Sequence, residues 1–233
     1  SERIIAVPIA LITALGTIML PRMTNLISKK SDESNKVLHI SVLFAMFVSS
    51  AMCFGIMGVS KEFVPFFYGS GYEICVYLYL ILLPSCIFLS FANVIRTQYL
   101  LPHQMDRDYV ISAILGAVVN LAINAILISS YGAIGVSVGT LAAELVVCVY
   151  QSAIVAKHIS ISRYVYDSFP LVISGFIMFV VLYLWDLSQL AAIAAIGIKI
   201  FAGAAIYIAV LLLLAWIMKI DYRKIIKKAI KNI

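Results

Sequence analysis

Seven long apolar segments, separated by short polar connections, occupy almost the whole of this 233-residue chain. Because a helix rises ~1.5 Å per residue, about 20 residues cross a hydrocarbon core of ~30 Å. Hydrophobic residues make up 64% of the chain and charged residues 12%, which is too little charge for a water-soluble surface. The runs are continuous, whereas barrel strands alternate over ~10 residues. The sequence therefore predicts an all-α polytopic membrane protein with seven transmembrane helices, at 4–20, 40–60, 74–95, 109–129, 133–156, 169–185 and 198–218.

The basic residues predict an orientation. Cytoplasmic loops retain Lys and Arg, and 14 of the 17 basic residues fall after the first, third and fifth segments and in the C-terminal tail. The opposite side has only Arg3 and Lys61, and Lys199 lies in an apolar run, where we expect it to snorkel outward. The N-terminus is thus predicted outside and the C-terminus in the cytoplasm. An odd number of spans starting outside predicts a missing N-terminal part; a complete seven-span receptor is the alternative.

No motif for chemistry on bonds is present in the sequence. The four cysteines have no paired spacing and are interpreted as small apolar packing residues. The three histidines form no ligand cluster, and there is no phosphate-cradling loop and no pair of catalytic carboxylates. Scattered basic residues without an aromatic platform argue against nucleic-acid binding. We therefore predict a protein that is not an enzyme and needs no cofactor or metal.

Polar side chains inside the fifth segment follow one helical face. At ~100° per residue they share an arc of roughly 80°. Glu144 lies near mid-span, where a lipid-facing carboxylate costs ~2.5 kcal/mol or more, so it should face protein or water. Gly135 and Gly139 form a G-x-x-x-G step that allows close helix approach. The polar residues of the arc are Ser137, Thr140, Glu144, Cys148 and Gln151.

The fourth segment carries Asn120 and Asn124 one turn apart, at about the depth of Glu144. Only residues 130–132 join it to the fifth segment. Two interpretations stay open. The asparagines and the glutamate either hydrogen-bond across one helix interface as structural glue, or they form a polar cavity wall with a titratable carboxylate.

Two arginines near span ends also have two interpretations each. Pro84 predicts a kink in the third segment, and Asn93 and Arg96 follow near its cytoplasmic end. Arg96 is either a snorkelling interfacial residue or an anion contact in a cavity. Arg3, five residues before Pro8, is either an end-of-span anchor or a cavity residue.

Several motifs resemble those of bacterial polysaccharide flippases in the multidrug/oligosaccharidyl-lipid/polysaccharide exporter superfamily. Leu-Pro-Arg-Met at 20–23 resembles their "LPR" signature, and Phe-Phe-Tyr-Gly-Ser-Gly-Tyr at 66–72 resembles their "llfG..y" turn. Asn-Leu-Ala-Ile-Asn at 120–124 with Tyr-Gly-Ala-Ile-Gly at 131–135 is similar to their "N…N…ip.yGa.Ga" hairpin. Glu144 falls where many members carry a glutamate. The matches spread over residues 1–157.

The resemblance implies a MATE-like transporter of fourteen spans, in two six-helix lobes plus two extra helices. Residues 1–157 would be five spans of the C-terminal lobe, and 158–233 the two additional helices with a basic cytoplasmic tail. The implied protein resides in the bacterial cytoplasmic membrane as a multi-pass flippase. It translocates an undecaprenyl-diphosphate-linked oligosaccharide for polysaccharide biosynthesis, and its partners are that substrate, membrane lipids and the N-terminal lobe.

The resemblance also implies site roles. Arg3, Arg96, Asn93, Asn120 and Asn124 would bind substrate, and Glu144 would couple transport to an ion. An ion-coupled multidrug or cation antiporter of the same superfamily is the alternative, although it would favour an acidic cavity over arginines. A membrane glycan polymerase or acyltransferase is disfavoured, because the outer loops lack catalytic groups.

The tail after residue 219 has apolar residues at helical spacing with lysines between them. Such a segment can lie on an anionic leaflet. A simple stop-transfer charge cluster is the alternative.

The orientation is testable by cysteine labelling in a background without the four native cysteines. A cysteine at position 31 should be protected from an impermeant external thiol reagent, because the basic side of the chain is predicted to face the cytoplasm. A cysteine at position 70 should react in the same intact cells. The opposite labelling pattern would reverse the topology.

Overall fold

The computed structural model describes residues 2–29, 33–69, 71–187 and 189–230. Within these ranges it describes the side chains except those of residues 2–8, 15, 226 and 228–230. All the regular secondary structure in the described ranges is helical. The elements are α1 (Glu2–Ser28), α2 (Glu33–Tyr68), α3 (Ile74–Leu82), α4 (Ser85–Ile95), a π-helical turn (Arg96–Leu100), α5 (Asp106–Val155), α6 (Ile161–Leu184), α7 (Ala192–Ile217) and α8 (Tyr222–Ile230).

Six stretches of the described chain are long and apolar enough to cross a membrane, with α3, α4 and the π turn counted together as one. The longest, α5, has 50 residues, and a straight helix of that length would span ~75 Å. It instead reverses at Gly132, so its two arms are separate membrane-length segments. The prediction of an all-helical, multi-pass chain is confirmed at this level.

Glycines shape the α5 hairpin. Gly132 has φ 52° and ψ −128°, a backbone conformation that only glycine adopts without strain. Beyond the reversal the arms pack closely, because Gly135 lies against Leu127 and Gly139 against Asn124. A Cβ at either position would collide with the opposite arm. The G-x-x-x-G step thus serves the packing of one hairpin.

The third predicted segment is interrupted at Pro84, and a π turn follows its end. Pro84 has no N–H to donate, and α3 ends before it while α4 begins after it, so the regular helix is interrupted at the predicted position. Directly after residue 95 the chain widens into the π turn, where Leu101 N donates to Arg96 O over 3.0 Å. Single π turns inside helices are frequent at functional sites.

α2 is the centre of the bundle. It contacts α1, α3, α4, α6, α7 and α8, whereas α5 packs on α3, α4 and the π turn. The core includes the fully buried side chains of Leu38, Val42, Tyr79 and Ile95. This arrangement places the α5 hairpin on one side of the bundle and the α6–α7 pair on another.

The aromatic segment after α2 forms a turn with two glycines at positive φ, Gly69 at 85° and Gly71 at 96°. Gly71 N donates to Glu73 Oε1 over 3.2 Å. Hydrogen bonds from the backbone of Glu73 and of Gly71 hold the pKa of the Glu73 carboxyl below its usual value. α2 therefore ends at this glycine-containing turn.

Two details of the sequence interpretation are wrong. α1 does not end near Pro21 but continues to Ser28. Lys199 does not snorkel outward: its side chain is 0% exposed, and Nζ donates to Glu62 Oε1 over 2.6 Å. The neighbouring α2 supplies the counter-charge, which removes the reason for the ammonium to reach the interface.

The Lys199–Glu62 pair fixes α7 against α2. Further along the same interface the hydroxyls of Tyr207 and Ser50 are hydrogen-bonded at 2.8 Å. A buried ion pair is costly to break on one side, because the remaining charge has no partner. The pair is therefore expected to hold the two helices in one register.

Glu62→Gln should lower the free energy of unfolding by ~3–5 kcal/mol, since it leaves the Lys199 ammonium buried without a counter-charge. The double variant Glu62→Leu with Lys199→Met should recover most of that loss. Thermal unfolding in detergent measures both, with the exposed Lys157→Gln as a charge control. Equal stability of Glu62→Gln and the native chain would contradict a structural role for the pair.

Candidate functional site: a polar cavity beside the α5 hairpin

A cavity of about 340 Å³ lies between α4, the start of the π turn and both arms of α5. That volume is in the range of roughly 300–1,000 Å³ of ligand pockets. The cavity lies between membrane-length helices, where polar and charged side chains are rare. The polar side chains that line it are Asn93, Arg96, Ser112, Asn120, Thr140, Glu144 and Gln151.

Small residues create the space. The rest of the wall is formed largely by alanines and glycine, at positions 92, 113, 116, 117 and 143. Gly116 lies directly opposite Val147, so the hairpin arms approach closely at that level. The short side chains around this contact leave an opening that α4 covers from one side.

The asparagines of the first arm bond mainly to each other and to a threonine. Asn124 Nδ2 donates to Asn120 Oδ1 over 2.9 Å, and Asn120 Nδ2 donates to Thr140 Oγ1 over 3.4 Å. Thr140 Oγ1 in turn donates to Val136 O over 3.2 Å. These hydrogen bonds link the two arms of α5. The asparagines therefore serve as structural contacts between the arms, and their partner on the second arm is Thr140 and not Glu144.

Nearer the open ends of the same two arms, a second side-chain hydrogen bond joins them. Gln151 Nε2 donates to Ser112 Oγ over 2.9 Å, and both side chains are buried. The hairpin is therefore clamped by side-chain hydrogen bonds at two levels, and Glu144 lies between them in sequence.

Glu144 and Arg96 bring opposite charges to one cavity. The positive charge of Arg96 acts on the Glu144 carboxylate, yet no ion pair joins them in the described chain. The Arg96 guanidinium lies 5.4 Å from the centroid of the Tyr109 ring, within cation–π range. Each charge thus faces the cavity without a direct ionic partner.

Several buried polar atoms near the cavity have no hydrogen-bond partner among the described protein atoms. Asn93 Oδ1 and Gln151 Oε1 belong to residues that line it. Buried polar groups are normally satisfied, so unpaired atoms around a polar cavity indicate a place where water or a ligand binds. Gln98, in the π turn two residues after Arg96, also has both polar atoms buried without a partner, but it is not among the residues that line the cavity.

The predicted site residues are partly brought together. Asn93, Arg96, Asn120 and Glu144 line one cavity. Asn124 lies one turn away, against Gly139 and bonded to Asn120. The side chain of Arg3 falls outside the described ones.

Sequence reasoning missed the π turn, and it missed Tyr109 and Ser112 as lining residues of the cavity. A π turn leaves no periodic signal, because it shifts the helical phase by a single residue. Ser112 and Tyr109 lie on the first arm one and two turns before Gly116, and only the hairpin pairing assigns them to the cavity.

Comparisons with models of known protein families, with curated proteins and with solved structures give no match for this chain.

Proposed function

We propose that this chain is the C-terminal portion of a MATE-like flippase that translocates an undecaprenyl-diphosphate-linked oligosaccharide across the cytoplasmic membrane. The observation that carries the proposal is Arg96, a permanent positive charge in a polar cavity between membrane-length helices. The motif resemblance at 20–23, 66–72 and 120–135 supports the same conclusion. The cytoplasmic position of the C-terminus belongs to this proposal.

Arginine suits a diphosphate for a physical reason. Its planar guanidinium presents a fork of N–H donors that matches phosphate oxygens in pairs. The Tyr109 ring supports the guanidinium from one side without consuming those donors in an ion pair. Asn93 lines the same cavity with an unpaired buried Oδ1, which can accept a further hydrogen bond from a hydroxyl of a polar head group.

Glu144 gives the cavity a means of coupling. While ionised, it opposes an incoming anion and partly neutralises Arg96. Protonation would remove that opposition and strengthen the attraction of Arg96 for the diphosphate. Binding of a proton and binding of the anion would therefore favour each other, and such linkage is reciprocal.

In this proposal the cavity described here is one wall of a larger pathway. A second lobe would complete it, and rocking of the two lobes would expose the site to each side in turn. The lipid chains of the substrate would remain in the bilayer while the head group crosses.

A cation antiporter is the second candidate, and Glu144 is the observation that favours it. A carboxylate beside amide and hydroxyl oxygens, here Asn120 and Thr140, can hold a proton or a small cation. In that case Arg96 would be a structural counter-charge, and removing it would not abolish transport.

Arg96→Ala in the full-length protein should lower flipping by about ten-fold or more, because hydrogen bonds to a charged group contribute ~1.5–3 kcal/mol. Arg96→Lys should restore only part of the activity, since an ammonium lacks the planar fork. The measurement is delivery of the lipid-linked glycan to the outer leaflet in cells, normalised to protein abundance. Arg107→Ala, an exposed arginine on the first turns of α5, is the matched control.

An interfacial anchor would behave differently. Lysine snorkels about as well as arginine, so full rescue by Arg96→Lys would assign Arg96 to the interface. Full activity of Arg96→Ala would remove it from the mechanism and favour the antiporter.

Glu144→Gln keeps the shape of the side chain and removes its titratable charge. If Glu144 couples transport, this variant should accumulate normally but lose gradient-dependent transport, whereas Glu144→Asp should keep a pH-dependent activity. Transport assays with and without an imposed proton or sodium gradient measure this. Unchanged gradient dependence in Glu144→Gln would leave Glu144 as a packing residue.

A further inference from the structure

The junction between α7 and α8 has an unusual residue at its turn. Met218 N donates to Leu214 O, Lys219 N to Trp216 O over 3.2 Å, and Ile220 N to Ala215 O over 2.9 Å. These bonds form the C-terminal cap in which the residue after the last helical turn adopts a left-handed conformation, normally as glycine. Lys219 occupies that position with φ 55°. A side chain here costs roughly 1–2 kcal/mol, which calls for a compensating role.

A hollow of about 750 Å³ opens beside this turn. One wall is apolar, formed by Leu212, Trp216 and Ile217, and Trp216 is 79% exposed. The rim carries Lys219 and Arg223, with Asp221 as the acidic group. The hollow therefore changes from apolar to basic at the point where a membrane-length helix ends.

α8 is held beneath the bundle, so the rim has a fixed position. Tyr222 OH donates to Asp167 O over 2.8 Å, and burial together with the nearby Asp167 carboxylate raises the pKa of Tyr222. Tyr222 and Ile225 pack against the core of the bundle. Asp221 Oδ1 accepts a hydrogen bond from Lys224 N over 2.9 Å, which occupies part of the only acidic group on the rim.

We infer that this hollow binds one anionic phospholipid of the surrounding membrane. Its phosphate lies between the Lys219 ammonium and the Arg223 guanidinium, and an acyl chain lies along Leu212, Trp216 and Ile217. An aromatic ring at the end of an apolar helix is typical of the level of lipid head groups. The site shares no residue with the α4–α5 cavity and does not depend on the proposed transport function.

The apolar wall identifies the lipid as the occupant. A free phosphate would use only the two basic groups and leave the exposed Trp216 and Ile217 side chains without a partner. An acidic protein segment would have to reach a hollow that lies beside a membrane-length helix. A phospholipid matches both halves of the site at once, because its phosphate and its chain are covalently joined.

The test compares lipids retained by the purified full chain from nanodiscs of equal phosphatidylglycerol and phosphatidylcholine, counted by native mass spectrometry. The native chain should retain phosphatidylglycerol preferentially. Lys219→Gly and Arg223→Gln should each lower that preference about five-fold, since one basic residue near an anionic surface contributes ~1 kcal/mol. Lys157→Gln, which removes the same charge at the exposed end of α5, should leave it unchanged.

Lys219→Gly is a favourable variant for folding, because glycine suits the left-handed position, and thermal unfolding should confirm equal or higher stability. Arg223→Gln is a second variant that tests the preference for phosphatidylglycerol without changing the residue at the turn. An equal effect of Lys157→Gln would mean a diffuse charge attraction and would overturn the site. Displacement of phosphatidylglycerol by excess glycerol phosphate would assign the site to a free phosphate, and equal retention of both lipids in the native chain would refute anion recognition.

Discussion

Within a hydrocarbon core a backbone N–H or C=O has no water to bond, and this requirement decides where each helix of the chain can break. The interruptions at Pro84 and at the π turn keep the backbone hydrogen-bonded. Pro84 has no N–H to lose, and the bonds of Leu83 and Cys86 close around it. The π turn rebonds Leu101 N to Arg96 O, and the reversal at Gly132 ends one arm of α5 where the other begins. Breaks of this kind free side chains for other roles while the backbone stays satisfied.

Charged side chains among these helices fall into two groups. In the first group a charge has a partner on a neighbouring helix: Lys199 is paired with Glu62, and the Asp167 carboxylate lies beside the His39 ring, with Oδ2 and Nε2 3.0 Å apart. Such pairs hold α7 and α6 against α2. In the second group, Arg96 and Glu144 share a cavity without a direct ion pair. Paired charges are suited to fixing helices, whereas charges that face open space are suited to binding what enters it.

The sequence predicted much of this arrangement for identifiable reasons. Length and apolar composition predict the membrane-length helices, and the helical arc through Thr140, Glu144 and Gln151 predicts one polar face. The partner of Lys199 could not be predicted from the sequence. Glu62 lies 137 residues away, and the contact exists only because α7 packs on α2. The same holds for the bond from Gln151 to Ser112, which requires the register of the hairpin arms.

The hairpin register also explains why the cavity exists at this depth. Close approach at Gly135 and Gly139 sets the arms against each other near the reversal. Farther from the reversal, the hydrogen bonds among Asn120, Asn124 and Thr140 hold the same register. Beyond these hydrogen bonds the residues that face each other across the two arms are small, so a cavity is left between the arms. Glu144 lies in that space because it follows Thr140 by one helical turn, and Arg96 meets it from α4 at the start of the π turn. The cavity therefore follows from glycine packing and amide bonding elsewhere in the hairpin.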